Sequence, residues 1–142
     1  GTFLMTKFAV PIFKAQKFGR IVNVSSTAGQ RGEAYHSHYA ATKGAVISFT
    51  KSLAMELGPY GITVNAVHPD AVFDTALWTQ EALESSARRY GLTVEEYKSR
   101  NLMRQPVTSA DVARAVVALV DGTFARTTGA QIPVDGGNDR VI

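Results

Sequence analysis

Three side chains in the first third of the chain have the types and spacing to do chemistry together. Tyr39 stands four residues before Lys43, and Ser26 lies thirteen residues before Tyr39. Four residues of α-helix turn through about 400°, which leaves a phenol and an ammonium at that spacing only about 40° apart on one face. A phenol ordinarily titrates near 10 and is a poor base at neutral pH. An ammonium within about 4–6 Å favours its ionised form and brings it within reach of acid/base work. A serine hydroxyl beside the pair would orient the oxygen that gains or loses the proton. The trio suits proton transfer at a carbinol or carbonyl oxygen, coupled to hydride transfer by a bound cofactor. A Tyr-x-x-x-Lys pair also arises by chance in a chain with five tyrosines and fifteen basic residues, so the surrounding elements must decide.

For the trio to meet, Ser26 has to end a strand and Tyr39 has to open a helix. The stretch RIVNVSS, 20–26, is short and β-branched and is bounded by Gly19 and the Gly29/Gly32 loop, as a buried parallel strand would be. From Tyr39 to Leu57, Ala45, Val46, Phe49, Leu53 and Leu57 recur at three and four, which predicts a helix ended by Gly58 and Pro59. Residues 2–17 carry Phe3, Leu4, Phe8, Ile12 and Phe13 at helical spacing, with Pro11 expected to kink that helix or mark a boundary. ITVNAV, 62–67, is a second strand, and GAQIPVDGG, 129–137, supplies a third. Thr108 and Asp111 form a capping box ahead of VARAVVALV, 112–120.

This alternation predicts an α/β fold with parallel strands joined by crossover helices, part of a doubly wound sheet. Three strands alone would leave an apolar edge, so further sheet from the same protein or a partner is expected. Ligands in such sheets bind at the carboxyl edge, where Ser26 and the start of the Tyr39 helix fall. Residues 74–107 are long and polar, with helical pieces at 76–90 and 94–102. They are expected to form a helical insertion that covers substrate.

Composition narrows the class. The chain has 142 residues, 45% hydrophobic and 19% charged, with no cysteine. That balance is globular, and the missing cysteine argues against disulfides and thiolate metal sites, with the cytoplasm as the expected location. No apolar run approaches the roughly 20 residues of a membrane span. The net charge is +3, and residues 1–61 hold seven Lys/Arg against two Asp/Glu. These basic residues form no stripe, so no nucleic-acid partner is expected. No G-x-G-x-x-G follows a strand, so the usual pyrophosphate cradle is not read here.

The stretches GRIVNVSSTAG, YAATKGAVISFTKSLAMELGPYGITVNAVHP, TSADVARAVVALV and TTGAQIPVDGG, with Ser26, Tyr39 and Lys43 at their spacing, resemble the short-chain dehydrogenase/reductase family over nearly the whole chain. The resemblance implies the C-terminal half of one Rossmann-like domain over residues 1–142, using NAD or NADP on a small-molecule hydroxyl/carbonyl substrate. It implies Tyr39 as acid/base, Lys43 lowering the tyrosine's pKa and holding the nicotinamide ribose, and Ser26 positioning the reacting oxygen. Tyr39, Lys43 and the turn Pro69, Asp70, Ala71, Val72 would contact the cofactor. The family's Pro-Gly is Pro69-Asp70 here, a departure at the turn that would touch the nicotinamide amide, and its glycine-rich loop, ribose selector and helix asparagine would precede Gly1. The chain is therefore expected to be part of something longer, assembling as a dimer or tetramer through helices 2–17 and 39–57. HPDAVFDTALW and IPVDGGNDRVI look most similar to the dehydrogenase portion of bifunctional rhamnulose-phosphate aldolase/dehydrogenase chains, which would imply a small hydroxy-aldehyde.

Other residues carry alternatives. His36 and His38 flank the proposed base and are expected to line the substrate pocket with Trp78. Two histidines without a third ligand do not make a metal site. His68 is similarly placed at a strand end. Trp78 with Phe73 and Leu77 would close over substrate or pack cover on core. Arg88, Arg89, Arg100 and Arg104 would bind a phosphorylated or carboxylated substrate or sit in solvent. Two competing functions remain: a related-fold sugar-nucleotide epimerase or dehydratase, and a non-catalytic scaffold module.

Overall fold

The computed structural model describes residues 1–139. Residues 140–142, the end of the IPVDGGNDRVI stretch, lie outside the described residues. Three parallel strands, β1 (Gly19–Val24), β2 (Ile62–Pro69) and β3 (Gln131–Val134), pair in the order β1-β2-β3. Around them lie α1 (Thr2–Gln16), α2 (Thr27–Arg31), α3 (Ser37–Leu57), α4 (Gln80–Arg89), α5 (Val94–Lys98) and α6 (Ser109–Val120), with one 3-10 turn at Gly58–Tyr60. All eight residues of the central strand are buried, and its β-branched Ile62, Thr63, Val64 and Val67 suit a strand covered on both faces. Ile62 and Val64 pack with Ala54 and Leu57 of α3, and Val10 and Phe13 of α1 close the same cluster. Of these, Phe13 and Leu57 belong to the helical repeats visible in the sequence, whereas Phe3, Leu4, Phe8 and Ile12 of the α1 repeat are exposed.

α1 continues through Pro11, so the proline does not mark a helix boundary. The proline removes one donor, whose acceptor would be the Lys7 carbonyl, and both residues are exposed. An exposed carbonyl can be satisfied by solvent, so the lost bond does not have to end the helix. α3 starts two residues earlier than its apolar repeat, and β1 stops at Val24 rather than 26. That earlier stop frees Ser26 to cap α2, its hydroxyl accepting from the Ala28 N–H at 3.2 Å.

Polar side chains lock α3 onto β1. Asn23 donates to the Thr50 hydroxyl at 2.9 Å, and Ser25 donates to the Lys43 carbonyl at 2.8 Å. α2 presses against the same turn of α3. A Cβ on Gly29 would stand 2.6 Å from the Lys43 carbonyl carbon, so only glycine fits without displacement.

The segment between β2 and α6 leaves and returns side by side, through a parallel bridge between Val72 and Val107. Asp74 clamps its base by accepting from the Ser109 N–H at 2.8 Å and hydroxyl at 2.7 Å. The Thr108/Asp111 capping box opens α6, and Thr93/Glu96 form a second one at α5. Among the described residues no helix is long and apolar enough to cross a membrane.

Candidate active site

β1 and β2 both end at one side of the sheet, and α2, α3 and the 74–107 segment rise around those ends. They enclose a cavity of about 570 Å³. Ser26 enters it from the end of β1, Tyr39 and Lys43 from the first turns of α3, and Pro69, Asp70, Ala71 and Val72 from the end of β2. Three residues separated by up to seventeen positions thus reach one space. Trp78, Tyr97, Arg89 and Arg100 form the opposite wall.

Lys43 and Tyr39 share a face of α3, as their spacing requires. The ammonium lies 5.7 Å from the centre of the phenol ring and donates to the Val24 carbonyl at 3.0 Å. Tyr39 is 40% exposed, so it sits at an open mouth. Ser26 is only 8% exposed. Its oxygen already accepts from the Ala28 N–H, so its own proton is left to donate into the cavity. Such a set can move a proton at a substrate oxygen, with a neighbouring cation to support the anion formed.

His36 caps α3 and lines the cavity, whereas His38, inside the first turn, is exposed and is not among the lining residues. Trp78 lines the cavity and also packs on Phe73, with ring centroids 5.1 Å apart, and on Tyr97 at 6.0 Å. Of the four arginines, Arg89 and Arg100 reach the cavity, while Arg88 and Arg104 do not line it and are exposed. Glu33, Thr75, Ser86 and Tyr97 also line it and carry no local signal in the sequence. Their placement depends on how the cover folds back. Among the described residues no three His, Asp or Glu side chains cluster to hold a metal.

Asp70, which replaces a glycine of the resembled pattern, does not simply widen the turn. Its carboxylate accepts from Thr27 at 3.1 Å and from Asn138, and it pairs at 3.5 Å with both Arg31 and Arg100. One acid therefore ties α2, the cover and the segment after β3 together. Arg100 is also stacked on Tyr90 and Tyr97, 4.7 Å and 4.6 Å from their centroids. Burial opposes its charge, but the Tyr90 hydrogen bond and the Asp70 carboxylate outweigh this and hold it above its usual value. Burial pushes the Tyr97 hydroxyl up, against the pull of Arg100.

Comparison with known proteins supports the same architecture. A family model described as enoyl-(acyl carrier protein) reductase matches residues 1–139. The chain is 36% identical to 2-(S)-hydroxypropyl-CoM dehydrogenase 3 of Xanthobacter autotrophicus, covering 96% of this chain and 52% of that protein. The structure of ElxO with NADP bound superposes with a TM-score of 0.83 at 31% identity, over 96% of this chain and 53% of that one. NAD+-bound xylitol dehydrogenase superposes with a TM-score of 0.85 at 28% identity, over 95% of this chain and 55% of that one. The chain spans about half the length of the relatives it matches. With the parallel sheet and the match over residues 1–139 agreeing, the chain belongs to the short-chain dehydrogenase/reductase family.

Proposed function

We propose that this chain carries the catalytic half of an NAD(P)-dependent oxidoreductase that interconverts a hydroxyl and a carbonyl group. The observation that carries the reading is the convergence of Ser26, Tyr39 and Lys43 on one cavity at the carboxyl edge of a parallel sheet. The cavity's donors fit the nicotinamide and ribose end of such a cofactor. The Lys43 ammonium spends one N–H on Val24 and has others left for ribose hydroxyls, with Tyr39 beside it. Pro69, Asp70, Ala71 and Val72 wall the same space. When bound, the nicotinamide supplies the hydride acceptor or donor.

The chain's own residues handle the proton and the geometry. Tyr39 takes the proton from the substrate hydroxyl in oxidation and returns it to the carbonyl oxygen in reduction. Lys43 stabilises the phenolate between those events. Ser26 donates to the same substrate oxygen and aims it at Tyr39. Trp78 and Tyr97 form an apolar wall that displaces water from the reacting end, and His36 lies beside the base.

The substrate best matched is a small hydroxy-aldehyde or sugar-derived alcohol, in keeping with the resemblance to aldolase-linked dehydrogenases. Residues 74–107 are its cover, and residues 1–142 are the C-terminal part of a single dehydrogenase domain. Self-association into a dimer or tetramer is supported by Phe3, Leu4, Met5, Phe8 and Ile12, all exposed on α1. A cytoplasmic location is supported by the cysteine-free composition. The test incubates the complete protein with NAD+ or NADP+ and lactaldehyde or simple polyols. Reduced nicotinamide accumulating in solution in step with product is expected. Epimerised product with no reduced cofactor released would contradict the reading.

A further inference from the structure

The cover wall of the cavity holds hydroxyls and cations that the proton chemistry does not use. Thr75 donates to the Val72 carbonyl at 2.9 Å, and Arg100 is committed to Asp70 and to the faces of Tyr90 and Tyr97. Arg89 is exposed, with its guanidinium 6.0 Å from the centre of the Tyr35 ring. Two hydroxyls are left, those of Ser86 on α4 and Tyr97 on α5, and both residues line the cavity.

Tyr97 is only 4% exposed. Its ring sits among aromatic neighbours, 5.7 Å from Phe73, 6.0 Å from Trp78 and 5.7 Å from Tyr90, centroid to centroid. A phenylalanine would fill that space with no hydroxyl to satisfy, and a buried phenol ordinarily finds a partner. Burial raises the Tyr97 pKa, and the Arg100 charge and the Ser86 hydrogen bond lower it by less, so the phenol keeps its proton. Whichever of the two hydroxyls donates within the Ser86–Tyr97 pair, one O–H and free lone pairs remain for a ligand. A substrate hydroxyl, which both donates and accepts, can meet both. A methyl group meets neither, and a carboxylate can use only the O–H.

We infer that Ser86 and Tyr97 form a specificity subsite for a second substrate hydroxyl, one that is not oxidised, so that the preferred substrate is a polyol rather than a simple secondary alcohol. Tyr97 lies on the wall opposite Ser26 and Tyr39, so the substrate is held at two separate oxygens. This inference deepens the oxidoreductase reading: it rests on that reading for the hydroxyl that reacts, and on the cavity lining for the subsite itself.

Two measurements on the complete protein test it. Calorimetric titrations with xylitol and erythritol are run with NADH or NADPH present, so that no oxidation occurs, and again without cofactor. Saturable binding is expected, and Tyr97→Phe is expected to weaken it by about 10- to 100-fold. Ser86→Ala should act in the same direction, and the two together should cost less than the product of the separate losses, because they serve one hydroxyl. No saturable binding of either polyol, or binding unaltered by Tyr97→Phe, overturns the inference. In turnover assays the ratio of kcat/KM for xylitol over pentan-2-ol is expected to fall by about 10- to 100-fold in Tyr97→Phe. An equal loss on both alcohols, or a parent protein that prefers pentan-2-ol, overturns it as well. If polyol binding depends on Tyr97 while no nicotinamide is reduced, the subsite stands and the oxidoreductase reading fails.

Discussion

The Ser25 hydroxyl donates to the Lys43 carbonyl at 2.8 Å, and the ammonium of the same lysine donates back to the Val24 carbonyl at 3.0 Å. Lys43 is gripped at both its backbone and its tip by adjacent residues at the end of β1. The position of its charge relative to Tyr39 is therefore set by the strand as well as by the helix.

The packing behind this grip predicts the effect of Gly29→Ala. The added methyl would stand 2.6 Å from the Lys43 carbonyl carbon and 2.8 Å from the Gly44 nitrogen. Backbone atoms cannot swing aside, so α2 and α3 must part. We expect a loss of about 1–3 kcal/mol in urea unfolding and a fall in kcat of about 10-fold or more from the displaced lysine. Unchanged stability and turnover would show that the α2–α3 contact is looser than described.

Asp70→Asn keeps the shape of the side chain and removes its charge from Arg31 and Arg100. Because the three side chains are 14–33% exposed, solvent screens part of the effect. We expect a loss of about 1–3 kcal/mol and faster amide exchange in residues 74–107 than elsewhere. Exchange that rises evenly over the chain would argue against Asp70 as the tie to the cover.

The Asp70 network also shows where sequence reading stops. Ser26, Tyr39 and Lys43 were legible because two helical positions and one strand end obey fixed local geometry. The Thr108/Asp111 capping box was legible for the same reason. The partners of Asp70 come from Thr27, Arg31, Arg100 and Asn138, and no periodicity links those positions. The two histidines illustrate a finer limit. A shift of two residues at a helix start puts His36 at the cap facing the cavity and His38 on an exposed face. Pro11 does not end α1, and the exposure that decides whether a lost helical bond matters is a tertiary property that the sequence does not print.

Acid sensitivity follows from three carboxylates that accept hydrogen bonds at helix starts and loop bases. Asp74 is held below its ordinary value by the Ser109 hydroxyl and N–H, Asp111 by the Thr108 hydroxyl and N–H, and Glu96 by the Thr93 N–H and hydroxyl. Each folded pKa is depressed, so the folded state binds fewer protons than the unfolded state. Their stabilisation is complete above the ordinary carboxylate range and is lost as pH falls through the depressed values. Urea midpoints should therefore fall on acidification. Asp74→Asn should differ from the parent at about pH 6 and approach it toward about pH 3. A constant difference across that range would contradict the assignment.

The Tyr39 phenol is the group proposed to exchange a proton with substrate. Tyr39→Phe removes one oxygen and leaves the ring and Lys43 in place. In the complete protein we predict a fall in kcat of about 10²- to 10⁴-fold, with cofactor affinity, followed by nicotinamide fluorescence, close to that of the parent. Undiminished turnover in the phenylalanine variant would contradict the central claim.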